Sequence, residues 1–171
     1  PEPMQSIFAP DLFAGKVIIV TGAAGGVGGA VARLLSSLGA QVVASDLDQT
    51  RLDQTPAALR IAADLRRVDD CTTLVATTLA TLGRIDGIVA AAGVWVEGPS
   101  EDATEEEWSR CIDVNLKGTF LACRAALPLL RRGEAPAIVT MSSGLAARAS
   151  AGYGPYAAAK AGVLALTRQI A

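Results

Sequence analysis

The amino-acid sequence predicts an α/β fold, built as a doubly wound parallel sheet with helices on both faces. Short apolar runs rich in β-branched residues alternate with segments whose apolar residues recur at helical spacing. Such alternation is typical of parallel strands joined by right-handed helical crossovers. A glycine-rich turn also joins the first strand to the first helix. With 171 residues and 51% hydrophobic content, the chain has enough apolar material for one domain with its own core.

The elements can be placed in order along the chain. Residues 16–20 form an unalternated apolar run, which suits a strand buried on both faces. Gly39 closes the first helix, and Pro155 fits the first position of the last helix, where its missing N–H is no loss. The predicted strand order is 3-2-1-4-5, with a ligand across the carboxyl ends of the strands. We expect strands near 16–21, 41–45, 59–63, 86–91 and 136–142, and helices near 26–38, 67–82, 105–132 (interrupted near 111–115) and 155–171.

The turn at residues 21–29 lies between a strand and a helix, the context in which glycines indicate a phosphate site. Glycines let the backbone approach a pyrophosphate, and the helix N-terminus supplies N–H groups and a positive dipole. Asp46 follows the second strand, where its carboxylate can accept hydrogen bonds from ribose hydroxyls and repel the 2′-phosphate of NADP. A flexible turn without a ligand, and Asp46 as a turn residue or helix cap, remain the alternative interpretations.

Proton chemistry in this chain must proceed without imidazole, because the sequence contains no histidine. Tyr156 and Lys160 are four residues apart, so a helix projects both from one face. An ammonium close to a phenol favours the phenolate, and such a pair can exchange a proton with a substrate oxygen. An isolated pair of this kind is also compatible with a surface lysine beside a core tyrosine. The other tyrosine, Tyr153, has alanine four residues later and is interpreted as a pocket-lining residue.

With these motifs in order, the chain resembles the short-chain dehydrogenase/reductase family in its ordinary, non-extended form. Thr21-Gly22-xxx-Gly26-x-Gly28 matches the cofactor turn of the family, and Ser143 lies thirteen residues before Tyr156. The resemblance implies a Rossmann-type, NAD-binding domain over residues 12–171, truncated at the C-terminus so that the final strands of the family are lacking. Its implied cofactor-binding residues are Thr21, Gly22, Gly26, Val27, Gly28, Asp46, Asp64, Leu65, Gly93, Tyr156 and Lys160. Its implied catalytic residues are Asn115, Ser143, Tyr156 and Lys160.

Some of these assignments have competitors, and one position departs from the family pattern. Ser142 competes with Ser143, although the interval to Tyr156 favours Ser143. Asn115 could instead be an ordinary polar residue inside a helix. Ala91 stands where the family usually has an asparagine that hydrogen-bonds within the central sheet.

The resemblance implies an NAD-dependent oxidoreductase that transfers hydride between a nicotinamide and a secondary alcohol or ketone by a Ser-Tyr-Lys-Asn mechanism. One alternative is an NADP-dependent 3-oxoacyl thioester (acyl-carrier-protein) reductase. Against it, Gly25 stands where NADP users often place an arginine, and Asp46 adds like-charge repulsion. Another alternative is a non-catalytic NAD-binding scaffold or sensor. A serine hydrolase is excluded because no histidine can act as base.

The net charge and the cysteines indicate which kinds of partner and which compartment the sequence favours. A net charge of −2 gives no electrostatic footprint for nucleic acid or an anionic membrane, and no apolar stretch is long enough to predict a membrane span. The cysteines, odd in number and without histidine partners, predict reduced thiols in the cytoplasm rather than disulfides or a metal site. Residues 1–11 are interpreted as an N-terminal extension, its first residues in part an expression remnant. The family further implies a homo-dimer or homo-tetramer formed through the helices near 116–132 and 155–171.

Overall fold

A five-stranded, all-parallel sheet forms the centre of the protein, and its strand order is 3-2-1-4-5 as predicted. The computed structural model describes residues 7–148 and 150–171; most of the predicted extension, residues 1–6, lies outside the described residues. The strands are β1 (Val17–Thr21), β2 (Gln41–Asp46), β3 (Leu59–Ala62), β4 (Gly87–Ala90) and β5 (Ala137–Thr140). The helices are α1 (Gly26–Ser37), α2 (Gln49–Leu52), α3 (Val68–Leu82), α4 (Glu105–Ile112), α5 (Gly118–Leu130) and α6 (Gly154–Ile170).

β1 is buried along its whole length, which explains its unbroken apolar sequence. Its successive side chains enter opposite faces of the sheet, as the period of a strand requires. Val17 and Ile19 join one core cluster, with Leu74 of α3 and Leu130 of α5. Ile18 and Val20 join the other core cluster, which packs under α1. The sheet is therefore covered by apolar contacts on both faces, and its carboxyl ends remain available for a ligand.

The predicted interruption of the helix over 105–132 is confirmed and has a defined geometry. Residues 113–117 form a single π-helical turn between α4 and α5, with Asn115 buried inside it. Such turns displace the helical register locally and are frequent at functional sites. Here the turn directs a polar side chain inward from a helix that is otherwise packed on the sheet.

Several element boundaries differ from the sequence prediction. α2 was not predicted, because four residues are too few for an apolar period; the Asp48 side chain caps it by accepting from the Arg51 backbone N–H. β5 ends at Thr140 rather than 142, so both candidate serines follow the strand. α6 begins one residue early, at Gly154, which makes Pro155 its second residue rather than its first. A short 3₁₀ turn, Gly144–Ala146, was also missed.

The three cysteines are free and buried, as the sequence predicts. Within residues 7–148 and 150–171, none of the helices combines the length and apolar character that crossing a bilayer requires.

Candidate active site

A cavity of about 730 Å³ opens at the carboxyl ends of β1, β2 and β4. This edge of a doubly wound sheet is where ligands bind. Thr21 lies beneath the cavity at the buried end of β1, where its Oγ1 accepts a 3.4 Å hydrogen bond from the Ala92 backbone N–H. Most of the predicted cofactor-binding residues line the cavity itself: Gly22, Gly26, Val27, Gly28, Asp46, Asp64, Leu65 and Gly93.

In the glycine-rich turn, backbone segments lie so close together that two of the glycines have no room for a Cβ. Gly22 has φ of +67°, and a Cβ there would lie 2.6 Å from Cα of Ala92. A Cβ on Gly28 would collide with the carbonyl oxygen of Gly22. The N-cap residue of α1 is Gly25, which has no side chain to cap the helix. The first turn of α1 therefore presents backbone N–H groups and a positive dipole end to the cavity, which suits an anionic group.

Asp46 is oriented by the backbone around it. Its Oδ2 accepts a hydrogen bond from Ala24 N at 3.0 Å, and its Oδ1 accepts one from Leu47 N at 2.8 Å. Arg51, from the unpredicted α2, also lines the cavity and donates from Nη2 to the carbonyl of Ala24 at 2.8 Å. The carboxylate and the guanidinium thus hold opposite sides of the same peptide segment at the mouth of the cavity.

Asp64 lies two residues beyond the end of β3 and is paired with Arg66, whose Nη2 is 2.7 Å from its Oδ2. The hydrogen bond from the Arg66 side chain is the main reason that the pKa of Asp64 is lowered. The pair forms one wall of the cavity.

The Asn115 side chain links the π-helical turn to the segment that follows β4. Its Oδ1 accepts from Val94 N at 3.2 Å, and its Nδ2 donates to the carbonyl oxygens of Val94 at 3.0 Å and Cys111 at 2.9 Å. Gly93 makes this contact possible, because a Cβ there would lie 2.6 Å from Asn115 Oδ1 and 3.6 Å from Lys160 Nζ. The predicted residues Gly93, Asn115 and Lys160 are therefore brought together.

Lys160 is buried, with 5% of its surface exposed, and its Nζ donates to the carbonyl of Met141 at 2.8 Å. Burial lowers the pKa of Lys160, because desolvation penalises the ammonium. Its Nζ lies 5.7 Å from the centroid of the Tyr156 ring. Spacing of four on α6 thus places the cation next to the phenol, as the sequence predicts.

The two candidate serines make different contacts. Ser142 donates from Oγ to the carbonyl of Lys160 at 2.8 Å, which ties the end of β5 to α6. Ser143 Oγ accepts a hydrogen bond from Leu145 N at 3.2 Å at the start of the 3₁₀ turn. The hydroxyl proton of Ser142 is thus used within the fold, whereas the Ser143 contact uses only an acceptor position of its oxygen.

An aromatic group covers the start of α6. The ring of Trp95 lies 4.6 Å from that of Tyr156 and 5.1 Å from that of Tyr153, centroid to centroid. Glu97 holds this arrangement, because it accepts from Trp95 Nε1 at 3.1 Å and from the Tyr153 hydroxyl at 3.0 Å. We call Trp95, Glu97 and Tyr153 the aromatic clamp. Its Trp95 ring lies directly beside the Tyr156 ring.

Comparison with known proteins identifies the family. A family model described as short chain dehydrogenase matches residues 16–171. The chain belongs to the short-chain dehydrogenase family.

Two curated relatives illustrate the range of this family. The (5R,7aS)-5-hydroxy-7a-methyl-1-oxo-2,3,5,6,7,7a-hexahydro-1H-indene-carboxyl-CoA reductase of Mycobacterium tuberculosis is 42% identical, over 96% of this chain and 67% of the relative. The L-fucose dehydrogenase of Oryctolagus cuniculus is 37% identical, over 93% of this chain and 57% of the relative. The chain thus spans between about half and two thirds of the length of these relatives.

Two solved structures have the same fold. A short chain dehydrogenase from Mycobacterium smegmatis matches with a TM-score of 0.90 and 37% identity, over 98% of this chain and 75% of that one. A short-chain dehydrogenase/reductase from Burkholderia phymatum, solved in complex with NAD, matches with a TM-score of 0.88 and 28% identity, over 92% and 59% of the two chains.

Parts of the candidate site were not predicted from the sequence. The contacts that Trp95 and Glu97 make with Tyr153 had no local signal, since Tyr153 is far along the chain. Arg51 belongs to a helix that was missed. Cys111, whose carbonyl accepts a hydrogen bond from Asn115, was considered only as one of the reduced cysteines.

Proposed function

We propose that this chain is the NAD-binding and catalytic portion of an oxidoreductase that acts on a secondary alcohol or ketone. A Cβ on Gly22 or Gly28 would collide with backbone atoms, so glycine is needed at both positions for the turn to be this tight. A tight glycine turn that leads into a helix suits the pyrophosphate of a dinucleotide. The uncapped start of α1 opens on the same space. NAD, when bound, supplies the hydride acceptor or donor.

Residues around the cavity divide the binding of the dinucleotide between them. Backbone N–H groups from the turn before α1 would hold the pyrophosphate. The oriented carboxylate of Asp46 would accept hydrogen bonds from the adenosine ribose, and its charge disfavours the additional phosphate of NADP. Asp64 and Leu65 would border the adenine, and Gly93 leaves space for the nicotinamide end beside Lys160.

Proton transfer is assigned to Tyr156, Lys160 and Ser143. In the oxidation direction the Tyr156 phenolate takes the proton of the substrate hydroxyl, and in reduction the phenol returns it. The Lys160 ammonium lies beside the Tyr156 ring, where its positive charge stabilises negative charge that develops at the reacting oxygens. Ser143 donates a hydrogen bond to the substrate oxygen as charge develops on it. Asn115 acts as a positioning residue, because its amide holds the segment around Val94 next to Lys160.

The observation that carries this proposal is the environment of Lys160. Its ammonium is buried, and among the described residues no carboxylate forms an ion pair with it. A buried cation without a counter-ion is costly, so an ordinary structural role explains it poorly. Its position beside the Tyr156 ring is explained better by a role in catalysis, since charged groups in unfavourable surroundings are common in active sites.

The test is Tyr156→Phe, assayed with a panel of secondary alcohols and NAD⁺ and with the matching ketones and NADH. We expect turnover to fall below detection while the affinity for NADH, measured by fluorescence titration, stays within about twofold. Turnover retained by the variant would contradict the role of Tyr156. NADH binding by the unmodified protein without turnover of any panel member would favour the scaffold alternative.

A thioester reductase is a second candidate. The relative named as a carboxyl-CoA reductase, at 42% identity, favours it. Reduction of acetoacetyl-CoA with NADPH, faster than any NAD-linked oxidation in the panel, would establish this alternative.

We also propose that the protein assembles as a homo-dimer or homo-tetramer through α5 and α6. Phe120 is 41% exposed on α5, where the guanidinium of Arg124 lies 5.7 Å from its ring. An exposed aromatic residue on a helix is typical of an interface. Sedimentation equilibrium should show a dimer or tetramer that Phe120→Glu converts to monomer; a purely monomeric protein would contradict the proposal. The free, buried thiols suit a cytoplasmic location.

A further inference from the structure

A second cavity, of about 550 Å³, shares no lining residue with the cofactor cavity. One of its walls is the segment just after Ser143, and another is the start of α6, which carries Tyr156. Tyr153 of the aromatic clamp also lines it. Ser143 and Tyr156 do not line the cavity themselves, but the segments that carry them do, so the body of a substrate that reaches both hydroxyls would extend into it.

Arg148 brings a positive charge to this cavity. Its backbone N–H donates to the carbonyl of Gly144 at 3.1 Å, so the chain turns back on itself. Its Nη2 lies 3.0 Å from the position that a Cβ on Gly144 would occupy. Because Gly144 directly follows Ser143, the guanidinium lies above the backbone next to the proposed oxyanion donor.

The guanidinium of Arg148 has no ion-pair partner within residues 7–148 and 150–171. Among the described residues, other exposed arginines also lack an ion pair, and Arg148 differs from them in being the one charged residue that lines this cavity. Glu97, which is linked to the cavity wall through Tyr153, accepts hydrogen bonds from Trp95 and Tyr153 and forms no ion pair with Arg148. A guanidinium carries five N–H donors in a planar fork that matches carboxylate and phosphate oxygens.

We propose that Arg148 binds an anionic group of the substrate, a carboxylate or a phosphate, at a distance from the reacting hydroxyl. The aromatic clamp covers the apolar part of the substrate between these two ends. The assignment of the reacting end rests on the proposed function, but the binding of the anion requires no turnover. The substrate class is therefore a secondary alcohol or ketone with an acidic group.

The test measures binding rather than turnover. Isothermal titration in the presence of NAD⁺ compares three ligands with the same ring: cyclohexanecarboxylate, cyclohexyl phosphate and the uncharged cyclohexanecarboxamide. We expect at least one anion to bind about tenfold more tightly than the amide, a ratio worth ~1.4 kcal/mol. The stronger of the two anions identifies the carboxylate or the phosphate as the natural group.

Three variants test whether the preference for anions depends on Arg148. Arg148→Gln should bind all three ligands with equal affinity, and Arg148→Lys should keep part of the preference, because lysine retains the charge but not the fork. Arg132→Gln removes an exposed arginine after α5, at the opposite end of β5, and should behave as the unmodified protein. Near-ultraviolet circular dichroism checks that each variant is folded.

Three results would overturn the proposal: an anion preference unchanged in Arg148→Gln, an equal loss of affinity for all three ligands, or no saturable anion binding by the unmodified protein. Tyr156→Phe separates this proposal from the proposed function. It should remove turnover and leave the anion preference intact, so either proposal can fail while the other holds.

Discussion

The Asp46 carboxylate accepts a hydrogen bond from the Ala24 backbone N–H at 3.0 Å, so the last residue of β2 holds the glycine-rich turn that follows β1. Asp46, which we expect to bind the ribose hydroxyls, thus has a second role, because it also holds the neighbouring turn in shape. Removal of its charge and removal of its acceptor oxygens should have separable effects.

The paired variants Asp46→Asn and Asp46→Ala separate these roles. Asparagine removes the negative charge and keeps one acceptor oxygen, so we expect the ratio of NADPH to NADH affinity to rise about tenfold, ~1.4 kcal/mol. Alanine removes both oxygens and should weaken the binding of both cofactors as well. Fluorescence titration with each cofactor measures the two ratios. If Asp46→Asn leaves the ratio unchanged, Asp46 does not select between the cofactors.

Gly93→Ala tests the contact between the cofactor cavity and the catalytic residues. The new Cβ would meet Asn115 Oδ1 at 2.6 Å, which forces the Asn115 side chain or the Val94 segment to move. We expect a loss of about 1–3 kcal/mol in the free energy of unfolding, as overpacking typically costs, together with weaker NADH binding.

Gly26→Ala is the matched control for that stability measurement. A Cβ at Gly26 meets no atom within 4 Å, and alanine is the better helix former. Urea denaturation should therefore show this variant at least as stable as the unmodified protein. Equal destabilisation by both substitutions would mean that the contact with Asn115 is not the cause.

Asn115→Ala tests how strongly the π-helical turn is held. The substitution leaves the buried carbonyl of Cys111 and the partly buried N–H and carbonyl of Val94 without their partners, and an unsatisfied buried group costs about 1–3 kcal/mol. Gln49→Ala removes an exposed hydrogen bond to Asp53 and should change the free energy of unfolding by less than about 0.5 kcal/mol. Urea denaturation of both variants measures the contrast. A loss for Asn115→Ala as small as that for Gln49→Ala would mean that the turn does not depend on this amide.

The sheet and the cavity at its carboxyl edge were predictable because they follow from local patterns. Buried parallel strands have unalternated apolar sequences, and the glycines at 21–29 indicate a turn between a strand and a helix. The pairing of Tyr156 with Lys160 was likewise set by helical spacing.

The contacts that complete the site were not predictable, because they join distant segments through side-chain geometry. Asn115 could be assigned from a motif, but its hydrogen bonds to Val94 depend on a π-helical turn with no apolar period of its own. Trp95 meets both tyrosines only because the loop after β4 folds over the start of α6. Arg148 belonged to no motif, and its position depends on the turn at Gly144.

The buried thiol of Cys123 should make stability depend on alkaline pH. Burial raises the pKa of the Cys123 thiol to about 11, whereas an unfolded cysteine titrates near pKa ~8.5. Above the unfolded value the unfolded chain loses its proton first, so ionisation favours unfolding. The contribution of the protonated thiol is fully present below about pH 8.5 and is lost as the pH rises toward 11.

Cys123→Ala isolates this effect from the other groups that titrate in the same range. We expect the unmodified protein to lose about 1–2 kcal/mol more than the variant between pH 8 and 10.5, in proportion to the shift of this one pKa. Urea denaturation at each pH supplies the comparison. Parallel declines in the two proteins would show that Cys123 ionises as readily in the folded state as in the unfolded chain, and hence that α5 does not shield it from water.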